Sequence, residues 1–156
     1  KIDILMGTLS KTLASCGGFI AGNEDLIKIL RYSAPGFVFS VGLTPSMTAA
    51  AAASLRILRR EPERVRRLRD NGQAFLSQCR SNGLDTGVSI GRGVVSVIVG
   101  SVKAAGRMME KIERAGINAS PIIYPGVPIN SSRLRFFISS EHSSEQIDSA
   151  VRALAS

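Results

Sequence analysis

The alternation between segments of helical periodicity and short apolar runs is the feature that most constrains the fold of this chain. After Pro62 the sequence predicts helices over residues 62–81 and 102–115, and strands over residues 94–99 and 133–139, with a short extended stretch between the second helix and the second strand. A last helix is predicted from Ser143, which stands in capping-box relation to Gln146. Strands separated by helices indicate a sheet covered by helices, although the strand directions are not readable. Residues 62–156 are therefore predicted to form a small α/β domain.

The first 61 residues follow a different pattern. The predicted elements are a buried strand over residues 2–6, a second strand over residues 18–21, a helix capped by Asn23 that ends before Pro35, a brief extended stretch over residues 37–39, and a helix opened by Thr44-Pro45. The last of these helices is expected to end before Pro62, because a proline ring clashes with the preceding helical turn. The domain boundary is therefore predicted between residues 61 and 62.

Composition excludes several classes of protein. With 156 residues and 44% hydrophobic content, the chain can bury one good core. It contains no run of about 20 apolar residues, so no membrane span is expected. Cys16 and Cys79 have no further cysteine or histidine at metal-ligand spacing, which predicts neither a metal site nor a disulfide framework. The cysteine usage and the lack of a recognisable secretory signal favour a cytoplasmic protein.

The net charge of +8 is concentrated in one segment. Residues 55–70 contain the arginines Arg56, Arg59, Arg60, Arg64, Arg66, Arg67 and Arg69. Apolar residues share this segment at helical spacing, and only 5% of the whole chain is aromatic. We therefore interpret these arginines as the solvated face of an amphipathic helix, with a basic nucleic-acid-binding domain as the alternative.

Lys11 is the residue with the clearest chemical potential. It follows a predicted strand, and its neighbours in sequence are hydroxyl side chains and a glycine pair: Thr8, Ser10, Thr12, Ser15 and Gly17-Gly18. A lysine amine sheltered in such a loop can attack an aldehyde, while hydroxyls and loop amides can bind a phosphate. From the residues alone, an ordinary surface lysine remains the alternative.

The segment around Lys11 resembles the cofactor-lysine segment of the α-oxoamine synthases, which are fold-type-I pyridoxal 5'-phosphate (PLP) enzymes. The similar stretches are, in chain order, residues 3–11, 17–22, 33–40, 124–128, 132–135 and 140–142. Because several motifs occur in the same order, the resemblance extends over nearly the whole chain. It implies an α/β fold in which residues 1–61 are the end of the large PLP-binding domain and residues 62–156 the small C-terminal domain.

The resemblance also implies roles for individual residues. Lys11 is the Schiff-base lysine, and Thr8 binds the cofactor phosphate. Ser40 lies where a neighbouring subunit often adds a phosphate contact, which implies a homodimer with shared active sites. Arg135 is the residue that binds the amino-acid carboxylate, since a planar guanidinium can clamp a carboxylate through two parallel hydrogen bonds. The residues alone leave open that Arg133 and Arg135 simply face solvent.

The implied reaction is an acyl transfer. The family condenses an amino acid with an acyl thioester, usually with loss of carbon dioxide, to give an α-amino ketone. The acyl group is carried by coenzyme A or by an acyl carrier protein, and the arginine segment is a candidate for attracting such an acidic partner.

Departures from the family pattern refine these expectations. Ile123 stands where 8-amino-7-oxononanoate synthases usually have an arginine, and the Ser10-Lys11 pair is closer to serine palmitoyltransferase-like members. The family's ring-binding aspartate and histidine lie upstream of its lysine, so the chain is expected to be a fragment without activity alone. A non-catalytic partner subunit is the alternative, although retention of Lys11 argues against it. His142, the single histidine, is interpreted as structural.

Overall fold

A computed structural model describes residues 2–156. The chain divides into two compact units, the first ending at Glu61 and the second spanning Pro62–Ser156. The first unit contains a two-stranded sheet and the second a three-stranded sheet.

The first unit combines its sheet with three helices. Its elements are β1 (Ile4–Thr8), β2 (Gly18–Gly22), α1 (Glu24–Ser33), α2 (Pro35–Val38) and α3 (Pro45–Arg60). β1 and β2 pair antiparallel, in a register that runs from Ile4 opposite Gly22 to Thr8 opposite Gly18. The loop that joins the two strands carries Lys11.

Side-chain caps determine where two of these helices begin. The Asn23 side chain accepts a hydrogen bond of 2.8 Å from the amide of Leu26 at the start of α1. The Thr44 hydroxyl accepts one of 3.4 Å from the amide of Met47, and Pro45 occupies the first turn of α3. Such caps satisfy amides that have no partner within the helix. Both predicted helix starts are confirmed.

The extended conformation predicted for residues 37–39 is wrong. The carbonyl of Ala34 accepts hydrogen bonds from the amides of Phe37 and Val38, at 2.9 Å each. With Pro35 at the first position, these bonds form the single turn of α2. Local hydrogen bonding therefore overrides the β preference of the aromatic and β-branched side chains.

The first strand is present, but the prediction that it is buried is wrong for the described chain. Ile4, Leu5 and Met6 expose 54%, 52% and 72% of their surfaces. Among residues 2–61, Leu9 is the only hydrophobic side chain in a buried core. A two-stranded sheet cannot bury its own faces without a second packed layer.

The second unit is a three-stranded sheet covered by helices. Its elements are α4 (Glu63–Ser81), β3 (Val94–Gly100), α5 (Val102–Arg114), β4 (Ser120–Ile122), β5 (Ser132–Phe137) and α6 (Ser144–Ala155). The strand order is β3-β5-β4, and both pairings are antiparallel. The predicted helix-covered sheet is confirmed, and its strand directions are now known.

Alternation along β5 divides this sheet into two faces. Ser132, Leu134 and Phe136 are buried on one face. The buried core on this side includes residues of α4, α5 and α6: Phe75, Leu76, Cys79, Ile112, Ile147, Val151 and Leu154. The Phe75 and Phe136 rings lie 5.0 Å apart between centroids, a spacing typical of favourable aromatic pairs. The intervening residues of β5 occupy the other face, which carries both arginines of the Arg-x-Arg motif.

The start of α6 follows the predicted capping box. The Ser143 hydroxyl accepts from the Gln146 amide at 3.2 Å, and the Gln146 side chain accepts from the Ser143 amide at 2.9 Å. The preceding loop is fixed by Asn71, which donates to the carbonyls of Ser139 and His142. His142 contributes through Nδ1, which accepts from the Ser139 amide at 3.2 Å.

The seven arginines of the basic segment are exposed, as predicted for a solvated helix face. Arg64 and Arg67 each lie 3.3 Å from Oε1 of Glu141. No helix within residues 2–156 has the length and apolar character needed to cross a bilayer.

Candidate active site

The loop that carries Lys11 is closed by backbone hydrogen bonds. The amide of Leu9 donates to the carbonyl of Gly17 at 2.9 Å, which continues the pairing of β1 with β2 by one step. Within the loop, Ser15 N donates to the Leu9 carbonyl and Ala14 N donates to the Lys11 carbonyl, both at 3.0 Å. These bonds give the lysine a defined backbone position.

Two further contacts hold the loop against the rest of the first unit. The Ser15 hydroxyl donates to the carbonyl of Met47 in α3 at 2.7 Å. Gly17 has a φ of +97°, and a Cβ at this position would lie 2.5 Å from Cδ2 of Leu43. Because only glycine combines this conformation with such close contact, the first glycine of the pair is required for the shape of the loop.

Hydroxyl groups meet at the entrance to the loop. The Thr8 and Ser10 hydroxyl oxygens lie 2.8 Å apart, and the Ser10 amide donates to the Thr8 hydroxyl at 3.2 Å. The Thr8 hydroxyl also lies 3.3 Å from the carbonyl of Gly17. Thr8 and Lys11 therefore lie on the same short segment, and the Thr8 hydroxyl contacts the Ser10 hydroxyl there.

The Lys11 side chain is exposed. Within the part of the chain that the structure describes, its ammonium group has no hydrogen bond or ion pair. The shelter that a buried strand was expected to give is therefore not provided by these residues. The loop does give Lys11 a fixed backbone position, and the amine forms no hydrogen bond or ion pair with residues 2–156.

Ser40 is not brought into contact with Thr8 or Lys11 within residues 2–156. It lies in the connection between α2 and α3, is exposed, and donates its hydroxyl proton to the carbonyl of Gly36 at 2.8 Å. The structure therefore places this candidate in the same unit as the lysine, without a shared contact.

Arg135 belongs to the second unit and lies on the central strand of its sheet. In the register of the three strands it is flanked by Ser96 of β3 and Ser120 of β4. Its Nε atom is buried and has no hydrogen-bond partner among the described residues. Arg133, on the same face, instead donates from Nε to the carbonyl of Ser131 at 3.1 Å. The two arginines of the motif are thus not equivalent.

The Arg135 guanidinium does have one electrostatic neighbour. Its Cζ atom lies 5.0 Å from the centroid of the Phe137 ring, a distance at which a cation is attracted to an aromatic face. Phe137 was not among the residues predicted from the sequence, although alternation along a strand places residues two apart on one face. The contact of Ser15 with α3 was not predicted either, because no local sequence pattern indicates it.

The remaining polar groups offer no competing site. Among residues 2–156, no cluster of three or more histidine, cysteine, aspartate or glutamate side chains could hold a metal ion. Cys16 is exposed, whereas Cys79 is buried in the second unit, and burial raises the pKa of the Cys79 thiol to about 11. A thiol with so high a pKa is protonated at neutral pH and is a poor nucleophile.

Comparison with known proteins supports the motifs found in the sequence. Residues 1–154 match the aminotransferase class I and II family. The chain is 40% identical over 151 residues to an 8-amino-7-oxononanoate synthase of Fervidobacterium nodosum. It is 32% identical over 154 residues to a serine palmitoyltransferase of Sphingobacterium spiritivorum. These alignments cover 97% and 99% of this chain, but 38% of each relative.

Solved structures give the same assignment. The fold matches Sphingomonas wittichii serine palmitoyltransferase with a TM-score of 0.90 and 26% identity, over 99% of this chain and 39% of that chain. A serine palmitoyltransferase with a PLP internal aldimine matches with the same TM-score, identity and coverage. The predicted fold class, part of a fold-type-I PLP enzyme, is confirmed.

The relatives do not separate the 8-amino-7-oxononanoate synthase branch from the serine palmitoyltransferase branch, because both kinds of enzyme match nearly the whole chain. Both are α-oxoamine synthases, which confirms the resemblance carried by the lysine segment and the Arg-x-Arg strand. The chain spans about two-fifths of the length of these relatives. Since the family match extends over residues 1–154, this protein belongs to the aminotransferase class I and II family.

Proposed function

We propose that the chain provides the cofactor lysine and the carboxylate-binding strand of a PLP-dependent α-oxoamine synthase. The complete enzyme would condense an amino acid with an acyl thioester, releasing carbon dioxide and the free thiol and leaving an α-amino ketone. The observation that carries this proposal is Lys11, whose amine has no partner among residues 2–156 and lies on a closed, hydroxyl-bearing loop, within a chain whose relatives are enzymes of this class.

The residues of the lysine loop fit PLP, which presents an aldehyde and a phosphate. Lys11 offers the aldehyde an amine that has no hydrogen-bond or ion-pair partner in the described part of the chain. The Thr8 and Ser10 hydroxyls, 2.8 Å apart, can turn their protons toward an anionic oxygen. We therefore propose Lys11 as the point of covalent attachment and Thr8 as a phosphate contact. When bound, PLP supplies an electron sink for the bonds at the amino-acid α-carbon.

Arg135 is proposed to hold the carboxylate of the amino acid. A guanidinium on a strand, with Nε buried and without a protein acceptor, has lost water without gaining a hydrogen bond. Such a group is costly unless an acceptor arrives from outside, and a carboxylate matches its planar fork. Holding the carboxylate fixes which bond of the α-carbon stands perpendicular to the cofactor ring. The free lysine amine is then suited to accept and return a proton at that carbon.

The proposal includes two kinds of partner. We propose a homodimer, in which Ser40 of one subunit contributes a phosphate contact to the site of the other. The exposure of Ser40 and its lack of contact with Thr8 support this arrangement.

For the thioester, we propose coenzyme A or an acyl carrier protein, drawn to the exposed arginines of α4. Arg66 and Arg69, one helical turn apart, have no ion-pair partner among the described residues and are free to meet an acidic ligand.

The test is a product assay on the complete protein that contains this chain, loaded with PLP. Amino acids are supplied with an acyl thioester of coenzyme A or of an acyl carrier protein, and release of thiol and carbon dioxide is followed. We expect thiol release that requires both substrates. A family member that acts as an aminotransferase would instead convert an amino acid and an oxo acid without releasing thiol, and that result would refute the proposal.

A further inference from the structure

We infer that Phe137 is a positioning residue for Arg135. The Phe137 ring stacks against the flat face of the Arg135 guanidinium and leaves the N–H edge of the guanidinium free for the substrate carboxylate. This inference rests on the proposed function, in which Arg135 binds the amino acid. It adds a residue that lies outside the Arg-x-Arg motif, and it assigns the ring to substrate binding.

The geometry places the two side chains together by strand alternation. Arg135 and Phe137 are two residues apart on β5, on the face opposite the buried core. The 5.0 Å separation of Cζ from the ring centroid lies within the range of cation–π attraction. Phe137 exposes 56% of its surface although it lies at the end of a central strand, so core packing among residues 2–156 does not account for an aromatic residue here.

The ring is the only electrostatic contact of the Arg135 guanidinium within residues 2–156. Its Nε atom is buried without an acceptor, and no hydrogen bond joins its other N–H groups to the described residues. A hydrogen bond from a neighbouring carboxylate would consume the donors needed for substrate. Stacking on an aromatic face consumes none, because the attraction acts on the flat side of the guanidinium.

The neighbouring strands do not supply an alternative support. Ser96 and Ser120 flank Arg135 in register, but their side chains are short and make no hydrogen bond to it. Opposite Phe137 lies Val94, which is apolar. Among the described residues, the Phe137 ring is the group that contacts the guanidinium, and we assign the restriction of the long arginine side chain to it. An arginine already restricted loses less conformational entropy when a carboxylate binds.

The test compares two substitutions in the complete, PLP-loaded enzyme. Phe137→Leu keeps an apolar side chain but removes the aromatic face, whereas Phe137→Tyr keeps the face. We expect Phe137→Leu to raise the KM for the amino acid about 3- to 30-fold, the range of a cation–π contact, with little change in kcat. Phe137→Tyr should stay within about twofold of the parent.

Two readouts separate positioning from a general structural effect. The KM for the acyl thioester, and the inhibition constant of the matching amine that lacks the carboxylate, should not change in Phe137→Leu. In a double-mutant cycle with Arg135→Gln, which removes the positive charge, most of the effect of Phe137→Leu should disappear because the ring then has no cation to hold. Equal losses for amino acid, amine and thioester would overturn the inference, as would an unchanged effect in the Arg135→Gln background.

The same data distinguish failure of the inference from failure of the proposed function. If Arg135→Gln raises the amino-acid KM but Phe137→Leu does not, the role of Phe137 is refuted and that of Arg135 stands. If Arg135→Gln leaves the amino-acid KM unchanged, Arg135 does not bind the carboxylate, and both claims for this strand fall.

Discussion

Lys11 and Arg135 share a property at the scale of single residues, since neither side chain has a hydrogen-bond or ion-pair partner among residues 2–156. For Lys11 the sequence was sufficient to select the residue, because its neighbours form a continuous local motif. For Arg135 the sequence left two interpretations open. The buried Nε without an acceptor distinguishes it from Arg133, which is satisfied by Ser131. This difference depends on tertiary packing and is not readable from alternation along one strand.

The two cysteines provide a residue-scale prediction. Cys16 is exposed, whereas Cys79 is fully buried, and its pKa of about 11 keeps it protonated near pH 8. We expect a thiol reagent at pH 8 to modify Cys16 rapidly and Cys79 only on unfolding. Peptide mass spectrometry after a short exposure identifies the labelled residue. Cys16→Ser should abolish fast labelling, and rapid labelling of Cys79 in the folded protein would contradict its burial.

The raised pKa also fixes the direction of a pH dependence. The unfolded thiol ionises near pH 9.0, while the folded thiol remains protonated to about 11. The free energy of unfolding contributed by this group is therefore fully present below pH 9.0 and falls as the pH rises toward 11. The parent chain should lose more stability than Cys79→Ala over this interval, and equal losses would show that Cys79 is not the group responsible.

At the scale of elements, chemical signals at helix ends were the most reliable guide. Asn23 and Ser143 cap their helices as predicted, and Thr44 caps the helix predicted to start at Thr44-Pro45, because a cap needs only residues close in sequence. The turn α2 was missed for the complementary reason. Phe37 and Val38 favour extended structure. The helical turn that starts at Pro35 is instead stabilised by two local hydrogen bonds to the Ala34 carbonyl.

Two helical glycines give a matched prediction for these elements. A Cβ at Gly72 in α4 would lie 2.5 Å and 2.8 Å from the carbonyl oxygens of Arg92 and Gly91, which are backbone atoms that cannot move aside cheaply. We expect Gly72→Ala to lower the free energy of unfolding by about 1–3 kcal/mol. At Gly106 in α5 nothing lies within 4 Å, so Gly106→Ala should raise it by about 0.5–1 kcal/mol.

Denaturant unfolding of the parent chain and the two variants measures this difference. The pair is informative because both changes add one methyl group within a helix of the same unit. The loss at Gly72 therefore reports the close approach of α4 to the segment before β3. Equal effects of the two substitutions would contradict that packing.

At the scale of the whole molecule, the two units differ in how much of their structure was predictable. In the second unit the helical periods, the strand positions and the buried stripe of α6 follow from the sequence. The antiparallel order β3-β5-β4 does not, because it depends on contacts between residues far apart in the chain. In the first unit apolar composition predicted a buried strand, whereas Ile4, Leu5 and Met6 remain exposed within the described residues.

Sequence motifs indicated the function of this chain more directly than its fold did. The lysine loop is a local structure, so its residues can be identified without knowing what surrounds them. Arg135 and Phe137 belong to the second unit, and their contact depends on alternation along β5, which places both side chains on one face of the sheet. The chain spans about two-fifths of its relatives, and the proposed activity belongs to the complete protein.

Covalent trapping of the cofactor tests the central claim most directly. The complete protein is loaded with PLP and reduced with borohydride, and the modified lysine is located by peptide mass spectrometry. Lys28→Ala, which removes an exposed lysine of α1 in the same unit, serves as the matched control for Lys11→Ala. We predict a reduced pyridoxyl adduct on Lys11 in the parent and in Lys28→Ala, and its loss in Lys11→Ala. An adduct on another lysine of the parent, with none on Lys11, would contradict the account.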